Sequence, residues 1–70
     1  MTVKQLIAKL NRLNPKLQVV VRGYEGGVDD VVRIDRVKLQ LNAHQEWYYG
    51  RHEVKKDGDT PAYEIVGGDE

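Results

Sequence analysis

The sequence predicts an α+β fold: one N-terminal helix packed on a small, mainly antiparallel, three- to four-stranded sheet. Two observations predict it. Apolar residues recur at helical spacing near the N-terminus, and from Leu17 onward they gather instead in β-rich runs separated by glycine-rich or polar connections. A stripe on one helix and a face on one sheet can each bury the other, which is the two-layer α+β arrangement. The 70 residues form one expected domain, 1–70, with no repeat and no linker.

The helix comes first. Thr2 followed by Gln5 reads as a capping box, a hydroxyl for the orphan N–H groups and an amide reaching back. Val3, Leu6, Ile7, Leu10 and Leu13 then recur at three- and four-residue spacing, while Lys4, Gln5, Lys9 and Arg12 fall on other faces. Asn14-Pro15 ends the pattern, because a residue before proline avoids the α region. The expected helix is Val3 to Leu13.

Leu17 to Arg22 is the first expected strand. Its valines Val19, Val20 and Val21 are consecutive, so both faces want cover. The helix would supply one cover, and a partner subunit or a loop the other. Gly23 to Asp30 is the connection, with three glycines, Tyr24 and three acids. Val31 to Leu41 is the second run. Val32 and Ile34 share one face, and Val37, Leu39 and Leu41 share the opposite one. A β-bulge near Asp35-Arg36 would reconcile the two sets; the alternative is partial burial of both faces. The first two strands should pair antiparallel across the Gly23–Asp30 connection.

Asn42 to Pro61 is polar, apart from Trp47, Tyr48 and Tyr49. Asp57-Gly58 reads as a hairpin turn. Ala62 to Val66 is a final strand expected in the same sheet, and Gly67 to Glu70 should fray.

Composition bounds the function. A chain of this size has a marginal core and usually needs a staple. There is no cysteine, hence no disulfide and no thiolate metal site. Homo-oligomerisation is the expected solution, with an independently folded monomer as the alternative. The formal net charge is zero, residues 1–35 holding six bases against four acids and residues 36–70 five against seven. Neither half is a polybasic footprint, which argues against a dedicated nucleic-acid binder. No apolar run approaches a membrane span, and Lys4 and Lys9 interrupt any signal-peptide pattern. A soluble, cytoplasmic protein is expected.

Few residues offer chemistry. Serine and cysteine are both missing, which argues against a triad hydrolase. His44 and His52 do not have the spacing of a helical zinc pair, so the plain reading is two surface histidines. Glu25, Asp29 and Asp30 lack the oxygen spacing of a calcium loop. Their plain reading is a solvated acidic loop. The glycines open no helix and make no phosphate fingerprint. Three adjacent aromatics cannot all point into one core from a strand. Trp and Tyr are enriched at interfaces, and Arg51 can stack or hold an anion. The candidate binding residues are therefore Tyr24, Glu25, Trp47, Tyr48, Tyr49, Arg51 and His52. No catalytic residue, metal ligand or cofactor is expected.

The opening Thr2–Leu10, the Leu13-Asn14-Pro15 turn with the valine strand after it, the Gly23–Gly27 segment and the Trp47–Glu53 segment together resemble a group of short bacterial and phage or mobile-element proteins. The resemblance implies an accessory role, such as inhibition of a host system. It carries over no functional residue. Three functions follow as expectations. The first is a non-enzymatic binding module that works through protein–protein contact, as a homo-oligomer. The second is a small-ligand binder or sponge, of nucleotide type, with its site at a subunit interface. There Tyr24, Trp47 or Tyr49 would stack on a base, and Arg22, Arg51 or His52 would hold phosphate. The third and remotest is metal-assisted hydrolysis by Glu25, Asp29, Asp30 and His52.

Overall fold

A computed structural model describes residues 1–68. It contains one helix, α1 (Val3–Leu10), and four strands: β1 (Val20–Arg22), β2 (Val28–Gln40), β3 (Glu53–Val54) and β4 (Thr60–Gly67). All strand pairings are antiparallel. The α+β class, the single N-terminal helix and the antiparallel sheet are as the sequence predicts.

The capping box forms as expected. The Thr2 hydroxyl accepts from the Gln5 N–H at 3.2 Å, and Gln5 Oε1 accepts from the Thr2 N–H at 2.8 Å. The α-helix stops at Leu10, three residues short of expectation. Beyond it the chain tightens: Arg12 donates to the Lys9 carbonyl and Leu13 to the Leu10 carbonyl, the shorter bonding of a 3₁₀-type end. Asn14 Oδ1 then accepts from the Lys16 N–H, which turns the chain at Pro15.

β2 is the hub of the sheet. β1 pairs with its beginning, β4 with its middle and β3 with its end. The β1–β2 hairpin forms as predicted, with Val20 opposite Asp30 and Arg22 opposite Val28. Its connection is shorter than expected. Val28, Asp29 and Asp30 belong to β2, so only residues 23–27 turn, closed by Gly23 N–H to the Gly27 carbonyl at 3.0 Å. Leu17 to Val19 lie outside β1, because Leu17 still donates back to Asn14.

The bulge expected near Asp35-Arg36 does not form, and Ile34 and Val37 keep opposite faces; a register irregularity lies upstream instead. Pairing of β2 with β4 is continuous from Arg33 to Leu39, and the register slips between Val31 and Arg33. Val32 is the additional residue, and it breaks the alternation there. Downstream, Asp35, Val37 and Leu39 are half-buried while Ile34, Arg36 and Lys38 are exposed. Ile34 thus stays on the open face, opposite Ile65. Thirteen residues at about 3.3 Å each span roughly 40 Å when straight. That is comparable with the longest dimension of the molecule, 37 Å.

Asp57-Gly58 turns the chain, but not between mutual partners. Leu39 pairs with Val54 of β3 and with Thr60 of β4, so those two strands flank it. The connection crosses over the Leu39 backbone. A Cβ on Gly58 would lie 2.7 Å from the Leu39 carbonyl carbon and oxygen. The C-terminal end is also better held than expected. Gly67 pairs with Val31 and the Gly68 N–H donates to Asp30 at 3.2 Å. Asp69 and Glu70, the rest of the expected frayed tail, lie outside the described residues.

The two layers do not close on each other. No strand residue brings its Cα within 8 Å of the helix among the described residues. Val3, Ile7 and Leu10 are about half exposed, and no described residue is fully buried. The expected helix cover over the valine strand is not made within one chain: Val19 is 59% exposed and Val20 45%.

Candidate functional site

The end of β2 and the start of β3 bring Asn42 and His52 together. Gln40 pairs with Glu53, which fixes the base of the loop 41–52. Two further bonds tie its neck. The Asn42 N–H donates to His52 Nδ1 at 2.9 Å. The His44 N–H donates to the Arg51 carbonyl at 3.0 Å. Asn42 takes a positive φ of 54° to make this turn, a conformation asparagine tolerates better than most residues.

The aromatic tip sits on this neck. Tyr49 N–H donates to the Glu46 carbonyl, closing a tight turn around Trp47 and Tyr48. The Tyr49 ring lies over the His44 imidazole with centroids 4.3 Å apart. Trp47 and Tyr48 meet edge to face at 5.6 Å. Trp47 is 94% exposed, an unusual setting for the largest apolar side chain in the protein. His44 Nε2 lies 3.4 Å from Glu53 Oε1. That distance suits an ion pair when the imidazole is protonated, but Nε2 has no aligned hydrogen bond.

An open cleft of about 530 Å³ lies here, walled by His44, Glu46, Trp47, Tyr49 and Arg51 among others. Its chemistry is an aromatic wall, one guanidinium and one carboxylate. That set can stack a flat group or grip a peptide side chain.

The seven candidate residues divide into two groups. Trp47, Tyr49 and Arg51 line the cleft, Tyr48 buttresses Trp47, and His52 braces the neck from below. Tyr24 and Glu25 sit in the 23–27 turn, beyond Val28 at the opposite end of β2. Glu25 holds φ 55° there, and Tyr24 is 88% exposed. Within one chain, therefore, Tyr24 and Arg22 cannot share a ligand with Trp47 and Arg51. For the same reason Glu25, Asp29 and Asp30 do not meet His52. Asp30 is engaged by the Gln18 amide at 2.8 Å. No three potential ligands among the histidines and acids converge as a metal site among the described residues.

His44 is the residue that the sequence-based site lacked. It looks like a surface histidine in isolation. Only the Gln40–Glu53 pairing, which folds the loop back, places it under Tyr49 and beside Glu53. No protein-family model matches the chain, and no curated protein and no solved structure matches it.

Proposed function

We propose that this chain is a non-enzymatic interaction module that works through protein–protein contact, as a homo-oligomer. The observation that carries the reading is the uncovered apolar surface. The helix stripe, the valine run and the Ile34–Ile65 pair all lie open in one chain, and no described residue is fully buried. Large apolar side chains left open on several elements point to an interaction site. The exposed Trp47–Tyr48 tip adds a second adhesive point, of the residue types that dominate protein contacts. An accessory role in a phage or mobile element, such as inhibition of a host protein, fits a small module of this kind, and the cytoplasm fits a chain with no cysteine. No helix among the described residues is long and apolar enough to cross a membrane. Sedimentation at tens of micromolar tests the reading. A self-associated species is expected, and a strict monomer would sink the oligomer.

A second reading rests on the cleft beside Trp47. Tyr49 or Trp47 would stack on a nucleotide base and Arg51 would hold its phosphate. Thermal-shift measurements with nucleotides test it. A ligand at 100 times its Kd adds about 2.7 kcal/mol, and Arg51→Ala should remove the shift. An absence of shift with every nucleotide would exclude the cleft as such a site.

A further inference from the structure

β2 is open along part of one edge. β4 lies along its other edge, and Pro61 fixes which residues bond there. Proline donates nothing, so its cross-strand partner Lys38 turns its own N–H and C=O away from β4. The Lys55 N–H meets that carbonyl at 3.0 Å from the β3 side. Neighbouring residues of a strand bond to opposite edges. Ile34 and Arg36 are in step with Lys38 along the continuous β4 pairing, so they also face away from β4. β1 lies on this same edge. Gly27, in step with Asp29, accepts from Gly23 there, while the Asp30 carbonyl accepts from Gly68 at the end of β4.

The pairing of β1 ends at Asp30 and that of β3 begins at Lys38. Between them this edge has no partner strand among the described residues. Upstream of Val20 the chain turns off, since Leu17 donates back to Asn14. Beyond Lys55 it turns off through Gly58, which donates to the Lys55 carbonyl. α1 does not cover the gap, because it approaches no strand. Residues 31–37 therefore form a slot of about 23 Å, closed at both ends.

The slot is basic. Arg36, Lys38, Lys55 and Lys56 line a cleft of about 480 Å³ at its β3 end, beside Val54 and Pro61, and no acid lines it. Lys38 and Lys55 oppose each other across the strands, an unfavourable like-charge pair. Lys55 is met by Gln40 at 3.1 Å and by Glu53 at 3.9 Å. Arg36, Lys38 and Lys56 have no ion pair among the described residues.

Unpaired backbone beside unpaired cations fits extended chain that carries acids. Charged residues on an open edge deter like strands, and they attract a strand of opposite charge. A second copy of β2 does not fit. It has thirteen residues, far longer than the slot, so its ends would run into β1 and β3. It would also bring the same bases to the edge. A nucleic acid would use the cations but leave the backbone groups of Ile34 and Arg36 unpaired. We propose that the slot takes an extended acidic segment of a partner protein by strand addition. Its main chain pairs with Ile34 and Arg36. Its alternate side chains place acids beside Arg36 and Lys38 and an apolar group beside Ile34.

The inference rests on the interaction-module reading and adds a partner other than a second copy. Amide hydrogen exchange tests the slot. In the dilute free protein the Ile34 and Arg36 amides should exchange quickly and those of Asp35 and Val37 slowly. The probe is a capped peptide of alternating glutamate and valine, about seven residues long. It should slow exchange at Ile34 and Arg36, and its lysine–valine counterpart should not. R36E/K38E should weaken the glutamate peptide by about tenfold or more. N-methylation of alternate peptide residues should abolish binding in one register and spare it in the other, since only one set donates to β2. This arm needs no change in the protein. Amides of Ile34 and Arg36 that exchange slowly at every concentration would mean a closed edge and overturn the proposal. Slow exchange only at high concentration would put a second copy in the slot, which overturns the proposal and leaves the oligomer standing. No binding of the glutamate peptide, or binding indifferent to both methylation registers, would also overturn it. So would a single-stranded oligonucleotide that binds more tightly than the peptide, which would make the slot a nucleic-acid site.

Discussion

Single residues divide sharply by what lies around them. Gly58 passes so close to the Leu39 backbone that a methyl group would sit 2.7 Å from its carbonyl. Main chain cannot rotate aside as a side chain does. Gly58→Ala should therefore destabilise by about 1–3 kcal/mol, in the range of overpacked sites. Gly50 has nothing within 4 Å of the same position, and Gly50→Ala should stay within about 0.5 kcal/mol of wild type. Urea midpoints for the two variants give the comparison, and equal values would remove the close crossing. The aromatic tip makes a similar contrast. The Tyr49 ring packs at a tilt against His44, so Tyr49→Ala should cost about 1 kcal/mol. Trp47 is almost fully exposed, so Trp47→Ala should leave stability unchanged within about 0.5 kcal/mol. A destabilised Trp47→Ala would mean that the tip is packed against something in solution. The aromatics were legible in the sequence as a cluster. Their division into a ring packed on His44 and an exposed edge-to-face pair was not, since it follows from a loop neck closed by Asn42 and His52.

At the scale of elements, local signals served well and boundaries did not. The Thr2–Gln5 box and the antiparallel β1–β2 pairing follow from spacing and turn residues, and both are present. The phase conflict between Ile34 and Val37 was legible in β2, but the two sets keep opposite faces, and the register slip between Val31 and Arg33 depends on how Gly67 and Val66 pair across from them, which alternation within β2 cannot reveal. Likewise Asp57-Gly58 marks a turn, yet only the double pairing of Leu39 shows that the turn crosses a strand. The helix yields a prediction of its own. Eight residues are too few for a stable helix in water, so the cap matters more here than in a packed helix. Thr2→Ala should cost about 1 kcal/mol of helix stability and lower the far-ultraviolet helical signal visibly. Lys4→Ala, which removes no cap, should not. An unchanged signal in Thr2→Ala would show that tertiary or intersubunit packing alone holds α1.

At the scale of the whole molecule, the sequence already posed the problem that the structure makes quantitative. Seventy residues without cysteine leave little to hold a core together, and the fold as one chain buries no described residue completely. Where Tyr24 and Trp47 would lie was not legible, because that depends on the length of β2, which holds their loops at opposite ends. What completes the core governs how the protein melts. If stability comes from association, unfolding is coupled to dissociation and the melting point depends on concentration. For a dimer, a tenfold rise in concentration adds about 0.7 kcal/mol per chain, half of the 1.4 kcal/mol that a decade represents. Unfolding entropy near 2.1 cal/mol/K per residue converts this to an upward shift of about 5 °C. Melting followed by far-ultraviolet circular dichroism, at concentrations two decades apart, should therefore show a rise of roughly 10 °C. A fixed melting point across that range would mean that one chain folds by itself, and that its apolar surfaces close against each other in solution rather than against a second copy.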